Sequence, residues 1–443
     1  MKRVAFISEH ASPLATLGGI DNGGQNVYVA ELSLELARKG YHIDIYTRRD
    51  NTAVPEVVEW KPGVRVVHIT AGPPEFVPKE QLLQYMQEFT FQMLFFMSRQ
   101  ELYYEIIHAH FFMSALVASN IKKTTGIPYV VTFHALGLVR QLHQKQQDGF
   151  PPERTIIEKH IIDDANLIVA ECPQDKEDLL DHYYADPDRI VIVPCGFNPK
   201  EFYPIDKEEA REYLRLPKKD KIILQLGRMV PRKGVDNVIR ALGEVNRHNS
   251  KIKLLVVGGE SDSPDPASTP EIGRLQEVAR ESGVSDQVTF TGRKGRSLLK
   301  YYYAAADVFI STPWYEPFGI TPLEAMACGT PVIGSNVGGI KYSVVDEHTG
   351  FLVPPREPTA LAAKINLLLS DADLHRTMCK NAIKHVRHSF TWNKIAASMH
   401  QVYNQVLTDV HKPAKAPVLQ MVTDHTALLN LLNLLPGFKS SVV

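Results

Sequence analysis

Short apolar runs of strand length alternate with longer, partly polar stretches of helix length through the first half of the chain. One helix is predicted at about 26–39, ending before Gly40, and a longer one at about 80–101. Buried strands are predicted at residues 4–8, 43–47, 64–70, 106–109, 129–133 and 167–170. Because strands and helices alternate, we expect a mostly parallel sheet that is covered by helices on both faces.

The same alternation begins again after a proline-rich segment at 194–204. Strands are predicted at residues 221–226, 253–257, 288–291, 307–310 and 331–334, and helices at 359–369, 374–388 and 391–407. The chain of 443 residues is also long for a single core, which favours two domains. Two α/β units joined by a hinge predict a ligand-binding cleft between them.

Net charge, cysteine spacing and apolar runs limit the kinds of partner and the cellular compartment that we expect. A formal net charge of −1 gives no electrostatic case for a nucleic-acid partner. The four cysteines lack Cys-x-x-Cys spacing and are expected to be small buried apolar residues. The apolar run at the start is too short for a signal-peptide core, and no run of 18 apolar residues predicts a transmembrane segment. We therefore expect a cytoplasmic protein.

Residues 314–339 are predicted to form a loop, a short helix and the next strand. Thr321 has the side chain of a helix N-cap, and Glu324 stands three residues later, in a capping-box arrangement. The backbone N–H groups of Gly319, Ile320 and Thr321 would then lie unpaired at the positive end of the helix, where they favour a phosphate. Glu316 and Glu324 beside them are either a solvated loop residue and a cap, or acceptors for sugar hydroxyls.

Other candidate residues follow predicted strands. Arg228 and Lys233 are either solvated surface charges or cations that stabilise a departing diphosphate. The paired glycines Gly23 and Gly24 form either a flexible loop or a place where backbone approaches a ligand closely. His134 stands at a strand end, where a single histidine is more often structural.

A metal site finds little support in these patterns. The spacing of His108 and His110 could ligate zinc, but no third ligand is identifiable. The sequence also lacks an Asp-x-Asp motif. No metal is therefore predicted.

The segment from Glu316 to Glu324, with seven intervening residues, resembles the donor-site signature of family 4 retaining glycosyltransferases. The resemblance implies an α/β protein of the GT-B fold, in which two Rossmann-like domains with parallel sheets face each other across a cleft. It implies an N-terminal acceptor-side domain at 1–200, completed by a crossing helix at 391–411, and a nucleotide-sugar-binding domain at 201–390. The expected reaction is metal-independent transfer of a hexose, with a nucleotide-diphosphate sugar as co-substrate and no other cofactor.

The resemblance also implies roles for individual residues. Glu316 would contact the donor sugar and Glu324 the ribose, while Arg228 and Lys233 would hold the diphosphate and His134 the donor sugar near the reacting centre. The loop at 8–29 resembles that of sucrose and sucrose-phosphate synthases and of the N-acetylglucosaminyltransferase that begins mycothiol synthesis. The remaining donor-binding residues are then expected to be Gly23, Gly24, Phe318, Gly319, Ile320 and Thr321.

The acceptor is less defined by the sequence. Asn26 is expected to face it, and Lys79 and Arg154 resemble phosphate-binding positions of the mycothiol branch. However, Phe111 and Ala135 stand where that branch places hydroxyl-bearing residues, which counts against an inositol phosphate. A hexose phosphate, a free sugar or another polyol stays open, and UDP-glucose is the favoured donor.

Three other hypotheses accompany this one. A nucleotide-sugar epimerase would consume donor without an acceptor, and a phosphorylase would need a much longer chain with a pyridoxal-bearing lysine. A non-catalytic scaffold would bind donor without turnover. The leucine-rich tail at 412–443 would either pack on the body of the protein or contact a partner, and a homo-oligomer stays open.

Overall fold

Two sheets organise the protein in a computed structural model that describes residues 2–15, 23–144, 149–245 and 251–409. The first sheet has the strand order β3-β4-β2-β1-β5-β6-β7-β8. Its strands are β1 Arg3–Ile7, β2 His42–Arg48, β3 Val57–Lys61, β4 Val64–Ile69, β5 Ile106–His110, β6 Tyr129–Thr132, β7 Leu167–Ala170 and β8 Ile190–Ile192. All neighbours in this sheet pair in parallel except β3, which is antiparallel to β4.

The second sheet is wholly parallel, with the order β11-β10-β9-β12-β13-β14. Its strands are β9 Lys221–Leu226, β10 Ile252–Val257, β11 Val288–Phe290, β12 Val308–Ser311, β13 Val332–Ser335 and β14 Gly350–Val353. The prediction of an α/β fold with two parallel-sheet, Rossmann-like domains is confirmed. The edge strands β3, β8 and β14 were not predicted; β3 and β8 are only partly buried and so lack a long run of buried apolar residues.

Helices cover both sheets, as the alternating pattern predicts. In the first unit they are α1 Gly24–Arg38, α2 Met86–Arg99, α3 Phe112–Thr125, α4 Gly137–Gln144, α5 Glu153–Asp164 and α6 Pro173–Tyr183. Beyond it they are α7 Lys207–Tyr213, α8 Val235–Glu244, α9 Pro270–Glu281, α10 Arg296–Ala305, α11 Ile320–Ala327, α12 Ile340–Ser343, α13 Pro358–Ser370, α14 Ala372–Ser389 and α15 Trp392–Asp409. The single helix expected at 80–101 is instead a 3₁₀ segment, Lys79–Tyr85, followed by α2.

The last helix, α15, returns to the first unit. It packs on α1, and the Tyr403 hydroxyl lies 2.7 Å from Nδ1 of His108 in β5. The domain limits 1–200, 201–390 and 391–411 stay predictions. The tail at 412–443 and the glycines at 18–19 lie outside the described residues. None of the described helices is long and apolar enough to cross a membrane.

Candidate active site

The candidate site lies where strand ends of the two sheets face each other. In the first sheet β1, β5, β6 and β7 are neighbours, so the residues after them meet at one edge. In the second sheet β9 and β12 are neighbours, which brings together the loops at 227–234 and 312–319. Ligands of parallel α/β sheets bind outside the carboxyl ends of the strands. A cavity of about 470 Å³ lies there, a size that suits a small-molecule ligand.

Most of the predicted site residues line this cavity. Those on its wall are Gly23, Gly24, Asn26, Lys79, His134, Arg228, Glu316, Phe318, Gly319 and Ile320. The two units approach closely: a Cβ added to Gly23 would lie 3.6 Å from Nε of Arg228, and one on Gly24 would lie 3.9 Å from Cδ1 of Ile320. The paired glycines therefore let α1 begin directly opposite the donor-side loops.

The Asn26 side chain also forms hydrogen bonds that hold the chain at the start of α1. Its Oδ1 accepts a hydrogen bond from the Gly23 N–H at 2.8 Å, and its Nδ2 donates to the Ser12 carbonyl at 2.9 Å. The side chain is buried and closes the first turn of α1. It thus shapes the wall of the cavity as well as lining it.

The cations after β9 are paired with Glu316. Lys233 Nζ donates to Glu316 Oε2, and Arg232 Nη1 lies 3.7 Å from the same oxygen. Burial lowers the pKa of Lys233 to about 8; Glu316 opposes this shift and Arg232 adds to it. Burial would raise the pKa of Glu316, but Lys233 and Arg232 outweigh it and hold that pKa below its usual value. Glu316 therefore neutralises cations that an anionic ligand would meet.

Tight backbone packing holds these cations in place. Gly234 has φ +66°, and a Cβ there would lie 2.0 Å from the Thr312 carbonyl oxygen. The Trp314 N–H donates to the Arg232 carbonyl at 2.9 Å. The loops after β9 and β12 are thus joined through their backbones, which fixes the distance from Lys233 to Glu316.

The predicted capping box is wrong. Helix α11 begins at Ile320 after Gly319, whose φ of +92° turns the chain into the helix two residues earlier than expected. Thr321 therefore lies inside the first turn, and no side chain caps the helix. Gly319 and Ile320, at the start of α11, line the cavity, and a phosphate site there stays a prediction.

Glu324 is held by side chains instead of by the helix cap. The Tyr303 hydroxyl donates to its Oε2 at 2.9 Å, and Arg296 Nη1 donates to its Oε1 at 3.0 Å. Burial raises the pKa of Glu324, against the effect of Arg296. Each carboxylate oxygen can accept a further hydrogen bond, so a ribose hydroxyl remains compatible with this arrangement.

Arg296, which the sequence did not single out, connects the two units. Its Nε donates to Glu201 at 2.6 Å, and its Nη2 lies 3.9 Å from Glu31 in α1. Burial, reinforced by the charge of Glu201, raises the pKa of Glu31 to about 7. No local pattern could reveal this cluster, because its members come from segments far apart in the chain.

Arg154 does not line the cavity. It is fully buried, and its Nε donates to Glu158 at 2.8 Å. Its guanidinium lies 4.9 Å from the Phe111 ring centroid and 4.6 Å from that of Phe150. In this structure Glu158 pairs with the charge of Arg154 and aromatic rings enclose it, so the contact with an acceptor stays a prediction.

Arg140, in α4, was not predicted and does line the cavity. It shares the wall with Lys79, whose Nζ lies 3.5 Å from Glu80 Oε1. Two cations thus border this part of the cavity, although one of them is not the predicted arginine. The nearby Gln144 donates to the Tyr315 hydroxyl, a contact that joins α4 to the donor-side loop.

The two buried histidines of β5 lie beside the half-buried His134, which stands two residues after β6. Nδ1 of His110 lies 3.1 Å from Nε2 of His134. Both nitrogens of His108 have partners, Tyr403 at 2.7 Å and Thr132 at 2.9 Å. Within the part of the chain that the structure describes, no group of three or more His, Cys, Asp or Glu side chains could hold a metal ion.

Glu171 was also missed, although its signal was available. It follows β7 directly, as His134 follows the adjacent strand β6 after one residue, and it lines the cavity. A polar residue at the carboxyl end of a central parallel strand is the same signal that singled out His134. Applied to every strand, that rule would have found it.

Two facing α/β units with a cavity between their strand ends define a glycosyltransferase of the GT-B architecture. Family models agree over both units: Glycosyltransferase Family 4 matches residues 22–201, and Glycosyl transferases group 1 matches residues 206–385. The chain belongs to the family 4 glycosyltransferases, which are enzymes.

Relatives of known name support this assignment. A D-inositol 3-phosphate glycosyltransferase from Corynebacterium glutamicum is 34% identical over 413 residues, which cover 92% of this chain and 97% of the relative. One from Catenulispora acidiphila is 35% identical over 415 residues, which cover 92% and 96%. The solved sucrose-phosphate synthase from Thermosynechococcus elongatus has a TM-score of 0.84 and 34% identity, over 92% of this chain and all of that one. The epimerase hypothesis gains no support from these matches.

Proposed function

We propose that this enzyme transfers a hexose, with glucose from UDP-glucose favoured, to a hydroxyl of a small phosphorylated polyol or sugar, with retention of configuration. The supporting observation is the cavity itself. Arg228 and the uncapped start of α11 lie on one side of it, and His134 lies on the other. This arrangement offers positive charge to a diphosphate and a polar group to the attached sugar.

The proposed reaction needs little covalent participation by the protein. The bond from the anomeric carbon to the diphosphate oxygen breaks, and a bond to the acceptor oxygen forms on the same face. The acceptor proton passes to the departing diphosphate oxygen. Arg228, Lys233 and the N–H groups of α11 stabilise the negative charge that develops there, most strongly where water is excluded.

In this scheme Glu316 exchanges partners when the donor binds. The diphosphate takes over Lys233 and Arg232, and the carboxylate of Glu316 becomes free to accept hydrogen bonds from the sugar hydroxyls. Glu324 orients the ribose while Tyr303 and Arg296 hold its carboxylate. Gly23, Gly24, Phe318 and Ile320 complete the donor wall.

Lys79 and Arg140 support a phosphorylated acceptor, because two cations can reach one phosphate. The relatives named for inositol 3-phosphate agree with an acceptor of this class. Phe111 and Ala135, which line the cavity, lack hydroxyls, and this favours an acceptor whose ring differs from inositol. A hexose phosphate is therefore included beside inositol phosphate.

The test is a matrix of nucleotide sugars against phosphorylated and free acceptors, measured by release of nucleoside diphosphate, with the anomeric configuration of the product read by NMR. Arg140→Ala should raise KM for a phosphorylated acceptor by about tenfold or more and leave a free acceptor unaffected. Lys159→Ala, an exposed change on α5, is the matched control. Release of diphosphate that no acceptor accelerates would contradict the proposal.

A further inference from the structure

Glu171 contacts the predicted catalytic histidine directly. Its Oε1 lies 3.2 Å from Nδ1 of His134 and accepts a hydrogen bond from the Cys195 thiol at 3.1 Å. The residue is 3% exposed. β6 and β7 are paired in parallel, so this contact follows from the neighbouring ends of two central strands.

Asp175 lies next to Glu171 and holds its backbone in place. Asp175 Oδ2 accepts the Glu171 N–H at 2.9 Å. Burial, together with the charge of Glu171, raises the pKa of Asp175 to about 8. Asp175 is therefore mostly protonated at neutral pH.

A carboxylate can only accept hydrogen bonds, so the proton between Glu171 and His134 belongs to Nδ1 of the histidine. Nε2 of His134 faces Nδ1 of His110, which is fully buried; burial lowers the pKa of His110 well below its usual value. A neutral His110 can donate from Nδ1, which leaves its Nε2 as a bare lone pair. That atom indeed has no hydrogen-bond partner.

Packing holds the ring of His134 in this orientation. It lies edge to edge with His110, with centroids 5.4 Å apart and planes 20° apart, and its centroid is 4.9 Å from that of Tyr28 in an edge-on contact. The backbone of His134 has φ +59°, a conformation unusual for a residue with a side chain. The ring can therefore not turn freely, and its Nδ1 stays directed at Glu171.

We propose that Glu171 is a positioning residue for sugar transfer: it fixes the Nδ1–H tautomer of His134, so that Nε2 is the ring atom available to a hydroxyl of the donor sugar. The inference rests on the proposed function, since it assigns a task within the same site. On binding, the sugar hydroxyl replaces His110 as the donor to Nε2. Neither Glu171 nor Cys195 exchanges atoms with the substrate.

Two variants test this role against a purely structural one. Glu171→Ala removes the acceptor, and kcat should fall about 10- to 100-fold, the factor expected for loss of one hydrogen bond to a charged group. Glu171→Gln retains a carbonyl that can accept from Nδ1–H, so it should recover part of this loss. Asp175→Asn keeps an acceptor for the Glu171 N–H and is the matched control, with kcat within about twofold of the unchanged protein.

Two further measurements separate the explanations. Calorimetric titration with UDP-glucose should give Kd values within about threefold for all variants, because the diphosphate contacts are unchanged. Imidazole ¹⁵N NMR should show the Nδ1–H tautomer of His134 in the unchanged protein and a mixture of tautomers in Glu171→Ala. An unchanged tautomer in Glu171→Ala, or a fall in kcat that Glu171→Gln shares in full, would overturn the inference.

Failure of the proposed function would give a different result from failure of the inference about Glu171. The unchanged protein would then release no diphosphate with any donor and acceptor, while the tautomer experiment could still be read. A tautomer change in Glu171→Ala would support the link between Glu171 and His134 even then, and its absence would refute that link.

Discussion

Binding of a diphosphate at Lys233 should weaken as the pH rises through about 8. The side chain is 20% exposed, its ammonium is paired with Glu316, and burial lowers its pKa from 10.5 to about 8. Above that pH the free protein has a neutral lysine, whereas the proposed complex needs a charged one. Donor binding must then be accompanied by proton uptake, so its affinity falls with increasing pH.

The magnitude follows from the fraction of charged lysine. With a pKa of about 8 for Lys233, raising the pH from 7 to 9 should increase Kd about tenfold, which corresponds to about 1.4 kcal/mol. Lys233→Arg keeps its charge throughout this range, so its affinity should lack this dependence. Lys233→Ala should reduce turnover far more than stability.

Isothermal titration calorimetry with UDP-glucose at pH 7, 8 and 9, at constant ionic strength, measures the effect. The ratio of Kd values between the unchanged protein and Lys233→Arg cancels any ionisation of the ligand itself. Repeating the titrations in buffers of different ionisation enthalpy counts the protons taken up. A ratio that stays constant across this range would refute the reasoning.

Three further predictions concern the surroundings of the site. The pKa of Glu31 is raised to about 7 in the folded protein, so the unfolded chain loses the carboxyl proton of Glu31 at a lower pH than the folded protein does. The free energy of unfolding should therefore fall by about 2–3 kcal/mol between pH 5 and 8. Glu31→Gln should flatten that fall in urea titrations. Arg154→Met leaves the buried carboxylate of Glu158 unpaired, so the free energy of unfolding should fall by about 3–5 kcal/mol in the same urea titrations. The KM for the acceptor should not change. A raised KM with no loss of stability would instead support the predicted contact of Arg154 with the acceptor. A Cβ at Gly338 would lie 1.8 Å from the Glu316 carbonyl oxygen, so Gly338→Ala should raise the donor Kd about tenfold or more. A Cβ at Gly40 meets no atom within 4 Å, so Gly40→Ala is the control and should leave the donor Kd unchanged.

The donor-side loop illustrates how far local patterns reach. Thr321, with Glu324 three residues later, predicted a short helix after a loop, and a short helix follows the loop in the structure. The exact start of the helix was wrong, because a positive φ at Gly319 replaced the side-chain cap expected from Thr321. Backbone conformation at a glycine is decided by the contacts around it, here including Ile340.

Arg154 shows the opposite case, in which the sequence held a signal that was not used. Glu158 stands four residues later on the same helix, a spacing that pairs opposite charges. What the spacing could not reveal is that the pair is fully buried beside Phe111 and Phe150. The tertiary structure thus pairs the charge of Arg154 inside the first unit, away from the cavity wall.

The sequence by itself determined the alternation of strands and helices, the hinge between two units and the loops that carry polar residues, because these depend on residues close together in the chain. Only the tertiary structure decided which loops meet. The strand order β1-β5-β6-β7 brings Glu171 beside His134, and the packing of α1 against the second unit places Glu31 near Arg296 and Gly23 opposite Arg228. Such contacts join residues far apart in the chain. They form because folding buries the apolar faces of both sheets, and this packing determines which loops lie next to each other.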